Sequence, residues 1–155
     1  MQAADYGEDR LGLLRSAKPE YLVKPDVVTY NTLIKASCQN GNLDGAFNFL
    51  QVLKLSEDLK PNDVTYNTLI DGCTRTRGRM DTAWRLLEEM YREGVAPDSF
   101  TFSTLVKGIK KHASRDSSES LKRALRFLNT VAEEGLAKGD EVLYNCIMDT
   151  CLYFR

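Results

Sequence analysis

The sequence predicts an all-α fold, an α-solenoid of stacked helix–turn–helix repeats with about three full units and partial units at its ends. The first observation behind this prediction is an internal repeat. The heptapeptide VTYNTLI occurs at Val28–Ile34 and, unchanged, at Val64–Ile70, which is 36 residues later. Looser copies follow at Phe100–Val106 and Val142–Met148. A period of this length is typical of two-helix units that stack and bury a continuous core between neighbours.

The spacing of apolar residues within each unit is the second observation. In the first helix predicted for each unit, apolar residues recur at i, i+3 and i+4, which places them on one face of an α-helix. Tyr30, Leu33 and Ile34 are the first such set, and we expect them in the core. A second helical run follows in each unit. These runs are Leu43–Leu53, Met80–Met90 and Leu121–Val131.

Breaker residues divide the chain into units. Gly41 and Gly78 separate the two helices of their units, and a Pro or Gly next to Asn or Asp closes each unit. The predicted organisation is an N-terminal segment 1–26 that ends in the tail of a preceding repeat, three full repeats at 27–62, 63–98 and 99–140, and a partial repeat at 141–155. The full repeats are called the first, second and third units below. The third unit contains a polar insertion near 112–120, between its helices.

Composition excludes several classes of protein. Of 155 residues, 43% are apolar and 28% are charged, as in ordinary globular domains, and no apolar run approaches the roughly 18 residues of a membrane helix. Four cysteines without a C-x-x-C pair and a single histidine favour neither a metal site nor a bound cofactor. No Gly-rich phosphate loop, zinc-deaminase motif or paired carboxylates occur, so we expect no enzyme.

The N-terminal segment does not resemble a targeting peptide. Its 26 residues include five acidic residues, whereas an organellar transit peptide is Arg-rich and poor in acids. We therefore expect no transit peptide here, and we expect the chain to be a piece of a longer array.

The face of each first helix that points away from the predicted core repeats a pair of residue types. On a helical wheel centred on Tyr30, this face carries one apolar residue and one small amide or hydroxyl residue per unit. The apolar residues are Val28, Val64, Phe100 and Val142, and their polar neighbours are Asn31, Asn67, Ser103 and Asn145. An apolar side chain can pack on the face of a base, and an amide can bond to its edge, so the pair forms a plausible one-base pocket. We expect the apolar members to be exposed, and the aromatic residues Tyr30, Tyr66 and Phe102 to be buried.

Charge on this face differs from charge on the whole chain. The net charge of −1 gives no bulk electrostatic argument for a nucleic-acid partner. The outward face of the three units nevertheless carries four basic residues against Asp71. These predicted phosphate contacts are Lys35, Arg75, Lys107 and Lys111. A mixed-charge helix face that is merely solvated is the alternative interpretation.

The repeated motifs resemble those of the pentatricopeptide repeat family over residues 24–155. They are VTYNTLI at the start of the first helix, G-x-[LM]-D-x-A at Gly41–Ala46 and Gly78–Ala83, and the unit ending EEMYREGVAPD at Glu88–Asp98. The resemblance implies an α-solenoid that binds single-stranded RNA at one base per repeat, in mitochondria or chloroplasts. It also implies that two residues per repeat select the base, namely the polar residue after the aromatic of the first helix and the last residue of the repeat.

Carried onto this sequence, the base-selecting pairs are Asn31 with Asn62, Asn67 with Asp98, and Ser103 with Asp140, and Asn145 is the first member of a further pair. By resemblance these three pairs favour C, U and G. Asn62, Asp98 and Asp140 also have a purely structural interpretation, because Asn and Asp before a helix are favoured N-caps.

A second class of function stays open at this stage. Tetratricopeptide-like repeats use the same architecture as protein–protein scaffolds that hold peptides. A peptide groove gives no reason for Asn or Ser to recur with a terminal Asn or Asp, so we favour RNA as the partner. We expect no membrane partner, and we expect further repeats or a homodimer through the C-terminal helix at 141–155.

Overall fold

The first helix in the described part of the chain begins at Val27. The computed structural model describes residues 24–112, together with Lys122, Arg123, Leu125, Arg126, Glu141, Asn145 and Met148. Residues 24–112 form five α-helices and no strand. They are α1 (Val27–Gln39), α2 (Leu43–Leu55), α3 (Asp63–Arg75), α4 (Met80–Arg92) and α5 (Ser99–Lys111). Within the described part of the chain, no helix is long and apolar enough to cross a membrane.

Helix contacts confirm the all-α solenoid. In the first two units the two helices of the unit pack on each other, α1 on α2 and α3 on α4. Helix α3 also packs on α1 and on α5, so the first helices of successive units lie side by side in a row. The division of the whole chain into units stays a prediction, because the second helix of the third unit lies largely outside the described residues.

Local sequence sets where these helices start and where the chain turns. Asp26, Asn62 and Asp98 are the N-caps of α1, α3 and α5, and each side chain accepts a hydrogen bond from the backbone N–H three residues later. Gly41 and Gly78 lie in the turns between the paired helices with φ of 73° and 78°, a conformation that glycine adopts without a steric cost.

The core runs continuously between the units. Tyr66 and Phe102 are 0% and 2% exposed, as predicted, and Tyr30 is half-buried. The prediction that Leu33 belongs to the core is wrong, because its side chain is 39% exposed. Its equivalents Leu69 and Leu105 are buried because α3 and α5 each pack against the first helix of the preceding unit, whereas among the described helices α1 has no such neighbour.

Two glycines allow the first helices to approach closely. A Cβ at Gly72 would lie 2.7 Å from the Sγ of Cys38 on α1, and a Cβ at Gly108 would lie 2.7 Å from the Cβ of Thr74 on α3. Real Cβ atoms do not approach so closely. The same contact therefore recurs one unit apart and fixes the spacing of the row that carries the candidate site.

Candidate nucleic-acid interface

The predicted base-packing residues line one surface of the row of first helices. Val28, Val64 and Phe100 are 68%, 49% and 56% exposed, which confirms the expected exposure. Exposed large apolar side chains in register on successive helices form a set of platforms. Val142, the fourth member of this set, lies outside the described residues.

A cleft of about 350 Å³ opens between the platforms of the second and third units. Val64 and Phe100 both line it, and Asn67 lies in its wall. Lys35 on α1 and Arg75 at the end of α3 complete the set of predicted site residues in this cleft. The cleft thus brings Val64, Phe100 and Asn67 to one place, beside two cations and two acids, Asp63 and Asp71.

A second cleft of about 360 Å³ continues from the first. Phe100, Arg75 and Asp71 line both clefts, and Lys107 and Lys111 line only the second. Six charged residues line the two clefts, of which four are cations (Lys35, Arg75, Lys107 and Lys111) and two are acids (Asp63 and Asp71). The two clefts therefore form one groove along α1, α3 and α5 in which cations outnumber acids, and the role of these cations as phosphate contacts stays a prediction.

Ion pairs within the groove leave its cations available for exchange. Arg75 pairs with Asp71 on the same helix, with Nη2 and Oδ2 2.6 Å apart, and both side chains are substantially exposed. Lys111 donates from Nζ to the backbone oxygen of Arg75 at 3.3 Å. The Arg75–Asp71 pair is bidentate, because Arg75 Nε also donates to Asp71 Oδ1 at 3.1 Å, so its exchange for a phosphate contact costs about 1 kcal/mol, the upper end for exposed pairs.

The two asparagines lie deeper than predicted. The helical wheel places Asn31 and Asn67 on an exposed face, but the side chains are only 9% and 8% exposed, so this prediction is wrong. The start of the next unit covers them. Asn31 Nδ2 donates to Asn62 Oδ1 at 3.1 Å, and Asn67 Nδ2 lies 3.5 Å from Asp98 Oδ1.

These contacts join the two members of the first and of the second predicted base-selecting pair. The last residue of a unit caps the next first helix and also contacts the asparagine of its own unit. The capping interpretation and the pairing are therefore compatible, because both use the Oδ1 atom of Asn62 or Asp98.

Sequence reasoning missed two threonines that complete these contacts. The hydroxyl of Thr65 donates to Asn31 Oδ1 at 2.6 Å, and the hydroxyl of Thr101 donates to Asn67 Oδ1 at 2.7 Å. Both threonines are 0% exposed. The available signal was their position, since each is the third residue of its first helix and the second residue before the predicted reader of its own unit, Asn67 or Ser103.

The third pair is only partly described. Ser103 is partly exposed and its hydroxyl donates to the backbone oxygen of Phe100 at 3.0 Å, while Asp140 lies outside the described residues. Asn145 is helical and exposed. The prediction of a homodimer through 141–155 falls on a segment of which only Glu141, Asn145 and Met148 are described.

Two thiols lie behind the groove. Cys38 lines the first cleft, and burial, with the nearby Asp71 carboxylate, raises its pKa. Cys73 is fully buried, and burial raises its pKa to about 11. Both are therefore neutral near pH 7, and Cys38 forms part of the wall of the first cleft.

Comparison with known proteins gives the same architecture. The chain matches the model of the PPR repeat family at residues 25–75 and 61–111, which together make up more than half of its length. No match was found among curated protein sequences. A crystal structure of the pentatricopeptide repeat protein PPR10 from maize is 29% identical over 92% of this chain, with a TM-score of 0.66.

A second crystal structure shows PPR10 in complex with an 18-nt psaJ RNA element. It is 28% identical over 92% of this chain, with a TM-score of 0.65. The chain covers 19% and 20% of the two solved chains, so it spans about a fifth of their length.

Proposed function

Because the chain belongs to the pentatricopeptide repeat family, we propose that it is a sequence-specific single-stranded RNA-binding module that reads one base per repeat in organellar RNA metabolism. The observation that carries this proposal is the first cleft, where Val64, Asn67 and Phe100 meet beside two cations. The RNA complex of the similar protein PPR10 supports RNA as the ligand. The family resemblance supports a mitochondrial or chloroplast location.

In this proposal a base enters the cleft between consecutive platforms. Val64 packs against one face of the base and Phe100 against the other, which contributes about 1–3 kcal/mol per stacked base. Asn67 and Asp98 face the edge of the base. One N–H of Asn67, one lone pair of its Oδ1 and the second carboxylate oxygen of Asp98 remain for that edge.

The backbone of the RNA then follows the cations of the groove. Lys35 and Arg75 serve the phosphates beside the first cleft, and Lys107 and Lys111 serve those beside the second. With the 5′ end toward the N-terminus, the three pairs select C, U and G, as the resemblance implies. Ser103 is smaller than an asparagine, which leaves room for a purine at the third position.

The substitution Asn67→Thr tests this proposal. It should move the preference at the middle base from U toward G, because a hydroxyl is smaller and lacks the amide donor. The substitution removes a buried amide that Thr101 and Asp98 contact, so we expect a loss of about 1 kcal/mol of stability rather than the few tenths typical of a surface site.

The assay is titration of labelled RNAs that carry each of the four bases at the middle position. Micromolar protein is required because few stacked bases must offset the cost of association, about 4–15 kcal/mol. Asn31→Thr is the matched control, and it should change the first base only. If the unmodified chain and Asn67→Thr select the same middle base, Asn67 does not read RNA and a peptide-binding scaffold becomes the better interpretation.

A further inference from the structure

We infer that Thr65 and Thr101 are positioning residues for base selection, because each hydroxyl fixes the direction in which the asparagine of the preceding unit presents its amide. This inference rests on the proposed function and extends it to residues that neither stack on a base nor contact its edge. The donors and acceptors at the two boundaries between the described units carry this inference.

The N-cap fixes the first acceptor. The backbone N–H of Thr65 donates to Asn62 Oδ1 at 3.1 Å, and the backbone N–H of Thr101 donates to Asp98 Oδ1 at 2.8 Å. A backbone N–H can only donate, so the Asn62 side chain must turn its oxygen toward it. Asp98 offers only oxygens when ionised. Both boundaries therefore place an acceptor at the same point.

The threonine hydroxyl fixes the second contact. The backbone N–H of Asn62 donates to Thr65 Oγ1 at 3.2 Å, and that of Asp98 donates to Thr101 Oγ1 at 3.2 Å. In each case the hydroxyl oxygen accepts this backbone hydrogen bond through a lone pair, so the hydroxyl proton stays available to donate. It donates to Asn31 Oδ1 at one boundary and to Asn67 Oδ1 at the other, with the cap oxygen as a second, longer acceptor in each case.

These contacts leave one orientation for each asparagine amide. In the observed orientation of Asn31, Nδ2 faces the cap oxygen of Asn62 and Oδ1 faces the hydroxyl of Thr65. A flipped amide would place its oxygen against the cap oxygen of Asn62, which can only accept, and would lose the hydrogen bond from its NH₂ group to that oxygen. The contacts of Asn67 with Asp98 and Thr101 give the same result in the second unit.

The direction of the amide matters because the edges of U and C present opposite patterns of hydrogen-bond donors and acceptors. U offers a ring N–H donor beside a carbonyl acceptor, whereas C offers an amino donor beside a ring acceptor. An amide that flips freely about its broad terminal torsion can match either pyrimidine. An amide that the hydroxyl holds in one direction presents one fixed pattern. Because Asn31 and Asn67 are held in the same direction, the last residue of the unit, Asn62 or Asp98, then decides between C and U.

The sequence of the third boundary offers a contrast. Leu143 stands at the position of Thr65 and Thr101 in the repeat, and the reader of that unit is Ser103, which has no amide to orient. The hydroxyl thus accompanies the asparagine readers and is absent where the reader is a serine.

The test measures the ratio of affinities for U and C at each position in the full chain and in Thr65→Val and Thr101→Val. Valine keeps the shape of threonine and removes the hydroxyl. Thr101→Val should lower the U-to-C ratio at the middle base by roughly 2- to 10-fold, the effect of one net hydrogen bond, and should leave the first base unchanged. Thr65→Val should lower the C-to-U ratio at the first base only. Thr101→Ser restores the hydroxyl and should restore the ratio.

Thr65→Val and Thr101→Val are matched controls for each other, because each loses an equivalent threonine hydroxyl at a helix cap, one at the first boundary and one at the second. An unchanged ratio in Thr101→Val at the middle base overturns the inference and leaves the proposed function intact. An unmodified chain without any base preference overturns the proposed function and this inference with it. If the valine variants do not fold, NMR of the unmodified chain decides: the Thr101 hydroxyl proton should exchange slowly, and exchange at the solvent rate overturns the inference.

Discussion

Asp98 combines two roles that a pair of substitutions can separate. Its Oδ1 accepts from the backbone N–H and the hydroxyl of Thr101, each at 2.8 Å, and lies 3.5 Å from Asn67 Nδ2. Asp98→Ala removes an N-cap, which costs about 1 kcal/mol, and a negative charge at a helix N-terminus, which costs about 0.3–1 kcal/mol. We therefore expect a loss of about 1.5–2 kcal/mol. Asp98→Asn keeps the cap and should lose only the charge contribution.

Urea unfolding followed by tryptophan fluorescence measures this difference. Trp84 is the sole tryptophan of the chain, is 2% exposed and lies on α4 of the unit that Asp98 ends. Its emission therefore reports the structure next to the substituted boundary. The dependence of the free energy on urea should stay the same, so the midpoint alone should move.

RNA titration of the same two variants separates the reading role. Asp98→Asn should move the middle base from U toward C, since the pair then equals that of the first unit, whereas Asp98→Ala should lose the preference. Equal losses of stability in the two variants would refute the capping argument. An unchanged preference for U in Asp98→Asn would refute the assignment of Asp98 as a reader.

Two further predictions concern charge and ionisation. Lys111→Ala should flatten the dependence of log affinity on log salt by about 0.7 without changing base preference, because one phosphate contact is lost; an unchanged slope assigns Lys111 to the solvated surface. Burial raises the pKa of Cys73 from 9.0 to about 11. Below pH 9 this shift leaves the free energy of unfolding at its full value. As the pH rises from 9 to about 11 the unfolded chain loses the thiol proton more readily than the folded one, so the free energy of unfolding should fall by about 2–3 kcal/mol. Urea midpoints across this range should fall more steeply for the unmodified chain than for Cys73→Ala, which retains the similar effects of Cys38 and Tyr66, whose pKa values are also raised by burial; equal pH dependence in the two proteins would contradict the prediction.

The sequence predicted those features that each helix determines by itself. The 36-residue period, the apolar spacing and the caps at Asn62 and Asp98 are local signals, and they were sufficient for the fold, the row of first helices and the exposure of Val64 and Phe100.

The errors arise where one unit covers another. A helical wheel treats each helix as isolated, so it could not show that the N-cap of the next helix covers the sector of Asn31 and Asn67. It could not distinguish Leu33 from Leu69 either, because the two leucines have the same register in their helices. Leu69 is buried because α3 packs against the preceding first helix, α1. The contacts of Thr65 and Thr101 likewise require the position of the preceding unit.

The shared use of Asn62 and Asp98 limits which residues can end a unit. A residue that only bonded to a base could be any polar type, but this residue must also accept from the N–H of the following helix. Asn, Asp, Ser and Thr satisfy both demands, whereas long or cationic side chains do not cap. Changes between Asp and Asn can therefore alter base choice at little cost in stability, and changes outside this set lose stability and base choice together. The same oxygen also contacts the amide of the asparagine reader, so the two readers of a unit cannot be substituted independently; their effects on stability should be non-additive, as for any pair of residues in direct contact.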